Sequence, residues 1–430
     1  MKRSLVWFKT DLRLDDNETL IKAITESDEI IPVYCIDDAN FKTTEFGFKK
    51  TGSFKTQFLI ESLIDLNKNL RSRGSGLIIL NGKPHEEIIK IAKEYNVSKV
   101  FAKREVAFEE IETEAAVEKE LFKHHIVLET FSTSTLYHAK DLPFAINKIP
   151  DVFTDFRKKV EKETSIRAAF NKPEKIKSPK LPDTEFPNLK NLCLQDIKPD
   201  HRMAFDFIGG ETNAIKRLNY YLWESNCIKA YKNTRNEMIG ADYSSKLSPW
   251  LALGCISARR IYDEVKKYEK ERLPNESTYW LIFELIWRDY FRFMMKKYKN
   301  KFFTLSGIKT DKITVNESNP DVLEKWINGK TGSDFIDANM RELKNTGYIS
   351  NRGRQNVASY LCNYLKLDWR LGASYFEEML IDYDVCSNWG NWAYIAGVGN
   401  DPRENRYFNI EKQADTYDHD GKYRNLWLNN

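Results

Sequence analysis

The segment DYDVCSNWGNWAY at 382–394, continuing to NDPRENRYF at 400–408, crowds carboxylates, carboxamides and aromatic rings around Gly390, Gly397 and Gly399. This is not the composition of a core helix. The glycines let a backbone turn or come close to another body, while Asp382, Asp384 and Asn388 carry groups that are costly to bury without partners. A large planar polar ligand would supply those partners. An aromatic-rich turn with Asx-type capping accounts for the same pattern, so the rest of the chain has to decide.

At 430 residues the chain is longer than one ordinary core requires, and its 41% hydrophobic residues suffice to fill two lobes. Lys plus Arg number 67 against 63 Asp plus Glu, a net charge of +4 that permits a nucleic-acid partner without requiring one. Cys35, Cys193, Cys227, Cys255, Cys362 and Cys386 are scattered without paired spacing, which points to no metal site and to a reduced, cytoplasmic setting. The N-terminus enters a strand at once and no apolar run approaches a membrane span. A soluble monomer without signal peptide is expected. Nine of the ten tryptophans stand at or after Trp223, whereas five of the six histidines stand at or before His201. Imidazole chemistry is therefore not expected in the tryptophan-rich half, whose chemistry belongs to a cofactor.

Over residues 1–130, short β-branched runs at 5–8, 30–36, 77–80, 99–101 and 126–131 alternate with windows of helical apolar spacing, which predicts a Rossmann-like doubly wound parallel sheet. No G-x-G-x-x-G follows the first strand. The segment WFKTDLRLDDN at 7–17 stands where such a sheet opens a crevice, and it also reads as a salt-laced loop capping the next helix. Residues 131–205 form a connector. Its part from 171 to 200 is rich in Lys and Pro and is expected to run over the surface; just before it, 152–163 reads as a short basic helix.

Residues 206–430 show helical periodicity broken by Gly and Pro, which predicts an all-α lobe. In SSKLSPW at 244–250, Ser248 is expected as N-cap and Pro249 as the first helical residue, an arrangement suited to ordinary capping or to a diphosphate beside Lys246. Glu284, Trp287, Arg288 and Phe291 share one helical face, as do Asn351, Arg354, Gln355 and Ala358.

Taken together, these motifs resemble the photolyase and cryptochrome family from Trp7 to Trp427, and CSNWGNWAY at 386–394 resembles its DASH-type branch. The resemblance implies an all-helical FAD-binding lobe. Tyr231 and the segment Ser244, Ser245, Lys246, Leu247 and Ser248 would hold the cofactor, with Arg288, Arg354 paired to Asp382, Asp384 and Asn388 at the flavin. It places Glu284, Trp287, Asn351, Arg352, Gln355 and Tyr394 at a cyclobutane pyrimidine dimer in DNA. Glu105 matches a folate-contacting glutamate, implying a 5,10-methenyltetrahydrofolate antenna in the N-terminal lobe. Trp392 and Trp369 match the inner members of an electron relay, whereas Asn316 stands where the outer tryptophan would be. Tyr394 replaces a tryptophan, and Gln355 a methionine, of double-strand-repairing photolyases, so single-stranded DNA is the expected substrate form. The activity implied is blue-light-driven dimer repair, the rival being a light-sensing flavoprotein that does not repair. Repair of (6-4) lesions is disfavoured because the helical lobe offers only His419.

Overall fold

The computed structural model describes residues 1–309, 315, 319–401, 403 and 407–429. Five strands, β1 (Arg3–Phe8), β2 (Glu29–Ile36), β3 (Ile78–Asn81), β4 (Lys99–Lys103) and β5 (Val127–Phe131), form an all-parallel sheet in the order β3-β2-β1-β4-β5. The expected runs become strands, with ends shifted by two residues or fewer. Between them run α1 (Glu18–Glu26), α2 (Ser53–Arg71), α3 (Pro84–Glu94) and α4 (Phe108–Lys123), followed by α5 (Phe153–Glu163).

Alternation along the central strand divides the core. Leu5 and Trp7 face α3 and α4 in one apolar cluster, while Val6 and Phe8 face the opposite way, into a cluster that runs on into the helices of the second half. That half comprises α6 (Glu211–Asn219), α7 (Tyr231–Thr234), α8 (Ser248–Ala252), α9 (Ala258–Arg272), α10 (Glu276–Tyr298), α11 (Pro320–Ile327), α12 (Asp334–Thr346), α13 (Asn351–Ser359), α14 (Trp369–Met379), α15 (Val385–Ile395), α16 (Ile410–Tyr417) and α17 (Lys422–Leu428). Among the described residues no strand occurs after β5, and no helix is long and apolar enough to cross a membrane.

The loop after β1 ties the halves together. Asp16 and Asp15 form ion pairs with Arg259 and Arg260, each at 2.6 Å, and Arg13 donates to the carbonyls of Gly254 at 2.9 Å and Thr133 at 3.1 Å. A side chain at Gly254 would collide with the Thr10 carbonyl, so glycine is required for this approach. Asn17 caps α1 through the Leu20 amide. Much of the 7–17 motif is thus consumed in joining the halves, and its Lys9 and Thr10 border a cavity at the strand ends.

Two local expectations are corrected. Residues 385–395 are an α-helix, although their composition argued against one: Gly390 lets α15 lie directly on Phe291 of α10, where a Cβ would collide with the ring. The capping part of that reading was sound, because Asp384 caps the helix by accepting from the Ser387 amide at 2.9 Å. Ser248 is not the cap of α8. The helix starts at Ser248 itself because Leu247 already has right-handed helical dihedrals after the left-handed turn at Lys246, φ 58°.

Candidate functional site

One cavity lies at the strand ends between the sheet and the helices, another lies wholly within the helical half, and Tyr383 lines both. The helical one is bounded by Asn351, Arg354 and Gln355 of α13, by Asp382 and Asp384, and by Asn388 and Trp392 of α15. Two motifs far apart in sequence therefore meet on one wall. Arg354 pairs with Asp382 at 2.9 Å and rests on the ring of Tyr348; the second Asp382 oxygen, buried, has no hydrogen-bond partner among the described residues. Asp384 uses one oxygen to cap α15 and offers the other to Arg292 at 3.2 Å. Burial opposes its ionisation, but Arg292 and Arg288 prevail and draw its pKa down to about 2, leaving a fixed anion. Asn388 donates to the Ala373 carbonyl at 2.9 Å and brings no charge.

The 244–248 segment approaches from behind Tyr348. Arg217 ties down the Ser245 carbonyl at 3.0 Å and the Ser244 carbonyl at 3.1 Å. The Lys246 ammonium lies on the rings of Tyr243 and Tyr348, 2% exposed and without a hydrogen-bond acceptor among the described residues. Burial presses its pKa well down, and a bound anion would reverse that penalty. Tyr231 opens α7, buried edge-on to Tyr221.

On α10, Glu284 pairs with Arg235 at 2.5 Å, and burial raises its pKa despite that cation. Trp287 is stacked on Phe153 of α5, with ring centres 3.6 Å apart, and meets Tyr394 at 5.9 Å and 86°. Arg288 donates to the carbonyls of Ser134 and Leu251. Arg352 bonds Gln355 at 3.0 Å and packs on Tyr417. Trp392 meets Trp326 at 6.3 Å and Phe376 at 5.1 Å, while Trp369 meets Trp389 at 5.7 Å. Asn316 lies outside the described residues.

The second cavity, about 820 Å³, opens at the strand ends and is lined by Lys9, Thr10, Asp37, Lys50, Lys55 and Glu105 among others. Glu105, its side chain 9% exposed, lies beside Lys103 at 3.2 Å, Arg292 at 3.4 Å and Lys9 at 3.9 Å. Burial would raise its pKa, but these three cations together lower it.

Sequence reading missed Arg235, Arg292, Tyr348 and Trp326. Two had a usable signal: Arg292 follows Arg288 by one turn on the face of Glu284, and Arg235 follows Tyr231 by one turn.

A five-stranded parallel sheet joined to a helical half, with the Asp384 carboxylate and the neutral Asn388 amide on one cavity and the Lys246 ammonium buried on the Tyr348 ring, is the arrangement of a photolyase-fold flavoprotein. Residues 4–179 match the family model described as DNA photolyase, and residues 280–430 the one described as FAD binding domain of DNA photolyase. The chain belongs to the photolyase and cryptochrome family. Within it, the likeness is to cryptochrome DASH: the Xenopus laevis protein of that name is 49% identical over 98% of this chain and 81% of its own length. The fold superposes on a Synechocystis cryptochrome with TM-score 0.96 and 49% identity, covering 100% of this chain and 89% of that one. A class III photolyase of Agrobacterium tumefaciens gives 0.86 and 26%, covering 100% and 87%. FAD is the cofactor this family membership supplies, and the buried orphan atoms of Lys246 and Asp382 fit it.

Proposed function

We propose that this protein is a blue-light-driven, FAD-dependent lyase that splits cyclobutane pyrimidine dimers, taking them from single-stranded or looped DNA. The observation that carries the reading is the right-angled corner of Trp287 and Tyr394, with Glu284 one turn below Trp287 on the same helix; Asn351 and Gln355 line the helical cavity. Two joined pyrimidines present two ring faces and a row of imide edges, and such a corner offers a surface for each.

Bound FAD supplies the excited-state electron that opens the cyclobutane ring and receives it back afterwards. The chain does the rest. Lys246 and the amides around Ser248 would hold the diphosphate. Asp384, kept ionised by Arg292 and Arg288, would accept hydrogen bonds from the flavin, and the uncharged Asn388 would add no anion beside it. Arg354 and Asp382 brace the adjoining wall. Glu284 and Asn351 bond the pyrimidine edges, Glu284 kept in place by Arg235. Phe153 covers one face of Trp287, so that side is closed to water. Trp392 and Trp369 lead electrons toward the flavin. The strand-end cavity would take a reduced folate, 5,10-methenyltetrahydrofolate, as light-harvesting antenna, and Glu105 would be the residue that accepts hydrogen bonds from it.

Substrate form follows from magnitudes. Extruding a dimer from duplex costs a few kcal/mol, and one aromatic stacking contact returns roughly 1–3 kcal/mol. A phenol at Tyr394 stacks less area than an indole, and Gln355 is polar and already engaged by Arg352, so the return only matches the cost. Dissociation constants for one dimer in single-stranded and in duplex oligonucleotides, at a single salt concentration, test this. The single strand should bind tighter, and Tyr394→Trp with Gln355→Met should narrow the gap. Equal affinities would refute it.

A further inference from the structure

The two cavities share one structural arginine. Arg292 lines neither of them; it stands behind their common wall, its side chain 7% exposed. Its Nη1 reaches Oδ2 of Asp384 in the helical cavity at 3.2 Å, and its Nη2 reaches Oε2 of Glu105 in the strand-end cavity at 3.4 Å. A guanidinium is a rigid fork, so the separation of its two outer nitrogens sets the separation of the two carboxylates. Glu105 also meets Lys103 and Lys9, whereas Asp384 meets the backbone amide of Ser387. Glu105 therefore has two further ion-pair partners to turn to, whereas among the described residues Asp384 is ion-paired with Arg292 alone and Arg288 acts on it from further away.

We infer that Arg292 is a positioning residue that couples the two sites, so that the charge and orientation of Glu105 in the antenna cavity are felt at Asp384 beside the flavin. The inference rests on the two-cofactor reading above. A ligand that draws Glu105 toward itself, or neutralises it, returns Arg292 to Asp384. The flavin environment becomes more positive, and uptake of an electron is favoured. Coupling of this kind is reciprocal: reducing the flavin changes affinity for the antenna ligand by the same factor.

The test is the midpoint potential of FAD in the holoprotein, read by spectroelectrochemistry for wild type, Glu105→Gln, Arg292→Lys and the double variant. Lysine keeps the charge but cannot span two carboxylates; Arg292→Gln is read in parallel. Glu105→Gln is expected to raise the potential by about threefold in the one-electron equilibrium, about 28 mV. The shift should vanish in both Arg292 backgrounds. An unchanged potential in Glu105→Gln overturns the inference. So does a shift that persists undiminished without Arg292, since it would then be a field acting through space. Folate uptake, measured by absorbance after reconstitution, is a separate readout: its absence would overturn the antenna assignment while leaving the Glu105→Gln result to judge the coupling.

Discussion

The Arg354–Asp382 pair offers a perturbation whose size follows from geometry. The Asp382 side chain is 2% exposed and that of Arg354 25%, with 2.9 Å between them. At an effective dielectric of about 20 this separation gives about 6 kcal/mol of gross attraction, most of it offset by the cost of withdrawing both groups from water. Arg354→Met keeps an alkyl stem against Tyr348 but leaves a buried carboxylate whose second oxygen already lacks a partner. Breaking a buried pair in this way costs about 3–5 kcal/mol, and the partial exposure of Arg354 places the expected loss near the lower end. Asp382→Asn removes the stranded charge, so adding it to Arg354→Met should recover stability. All four proteins of the cycle are compared by urea unfolding, followed by tryptophan fluorescence at one fixed FAD concentration. A coupling energy of about 2 kcal/mol or more is expected. Strictly additive losses would refute the claim that these residues act as a unit.

Three further outcomes are expected. Asn388→Asp places an anion by the flavin and should lower its midpoint potential by about 60 mV or more, a tenfold change in a one-electron equilibrium; an unchanged potential would remove Asn388 from that position. Gly390→Ala forces a methyl against Phe291 and should destabilise the protein by about 1–3 kcal/mol, with Phe291→Leu restoring part of the loss in denaturant titrations. Asp384, drawn from 3.8 to about 2, contributes roughly 2 kcal/mol that is fully present above about pH 5 and is lost as pH falls through 2. The stability gap between wild type and Asp384→Asn should therefore shrink between pH 5 and pH 2, and a gap independent of pH would contradict the ion-pair account.

The sheet was legible because its strands are short continuous apolar runs, as in the LVWF of β1, which is buried on both faces, separated by windows of helical spacing. Much of the helical cavity was legible for a similar reason: Asn351, Arg354 and Gln355 fall on one face of α13, and Asp384 is a recognisable N-cap. The helix at 385–395 was not, since its asparagines and glycine weigh against a helix locally and only the fit of Gly390 on Phe291 redeems them. Arg292 was hidden more deeply. Its partner Glu105 stands 187 residues earlier, on the other half of the chain, and no periodicity spans that distance. The corner formed by Trp287 and Tyr394 is likewise a product of tertiary packing, as is the stacking of Phe153 from α5.

The central claim is repair, and one measurement bears on it most directly. The protein with its FAD fully reduced is mixed with a single-stranded oligonucleotide carrying one cyclobutane thymine dimer and exposed to blue light, and recovery of thymine absorbance near 260 nm is followed against a dark control. Dimer loss that requires light, and that falls sharply in Glu284→Ala, is the predicted result. Intact dimer after illumination of the fully reduced protein would contradict the account and leave a light-sensing flavoprotein in its place.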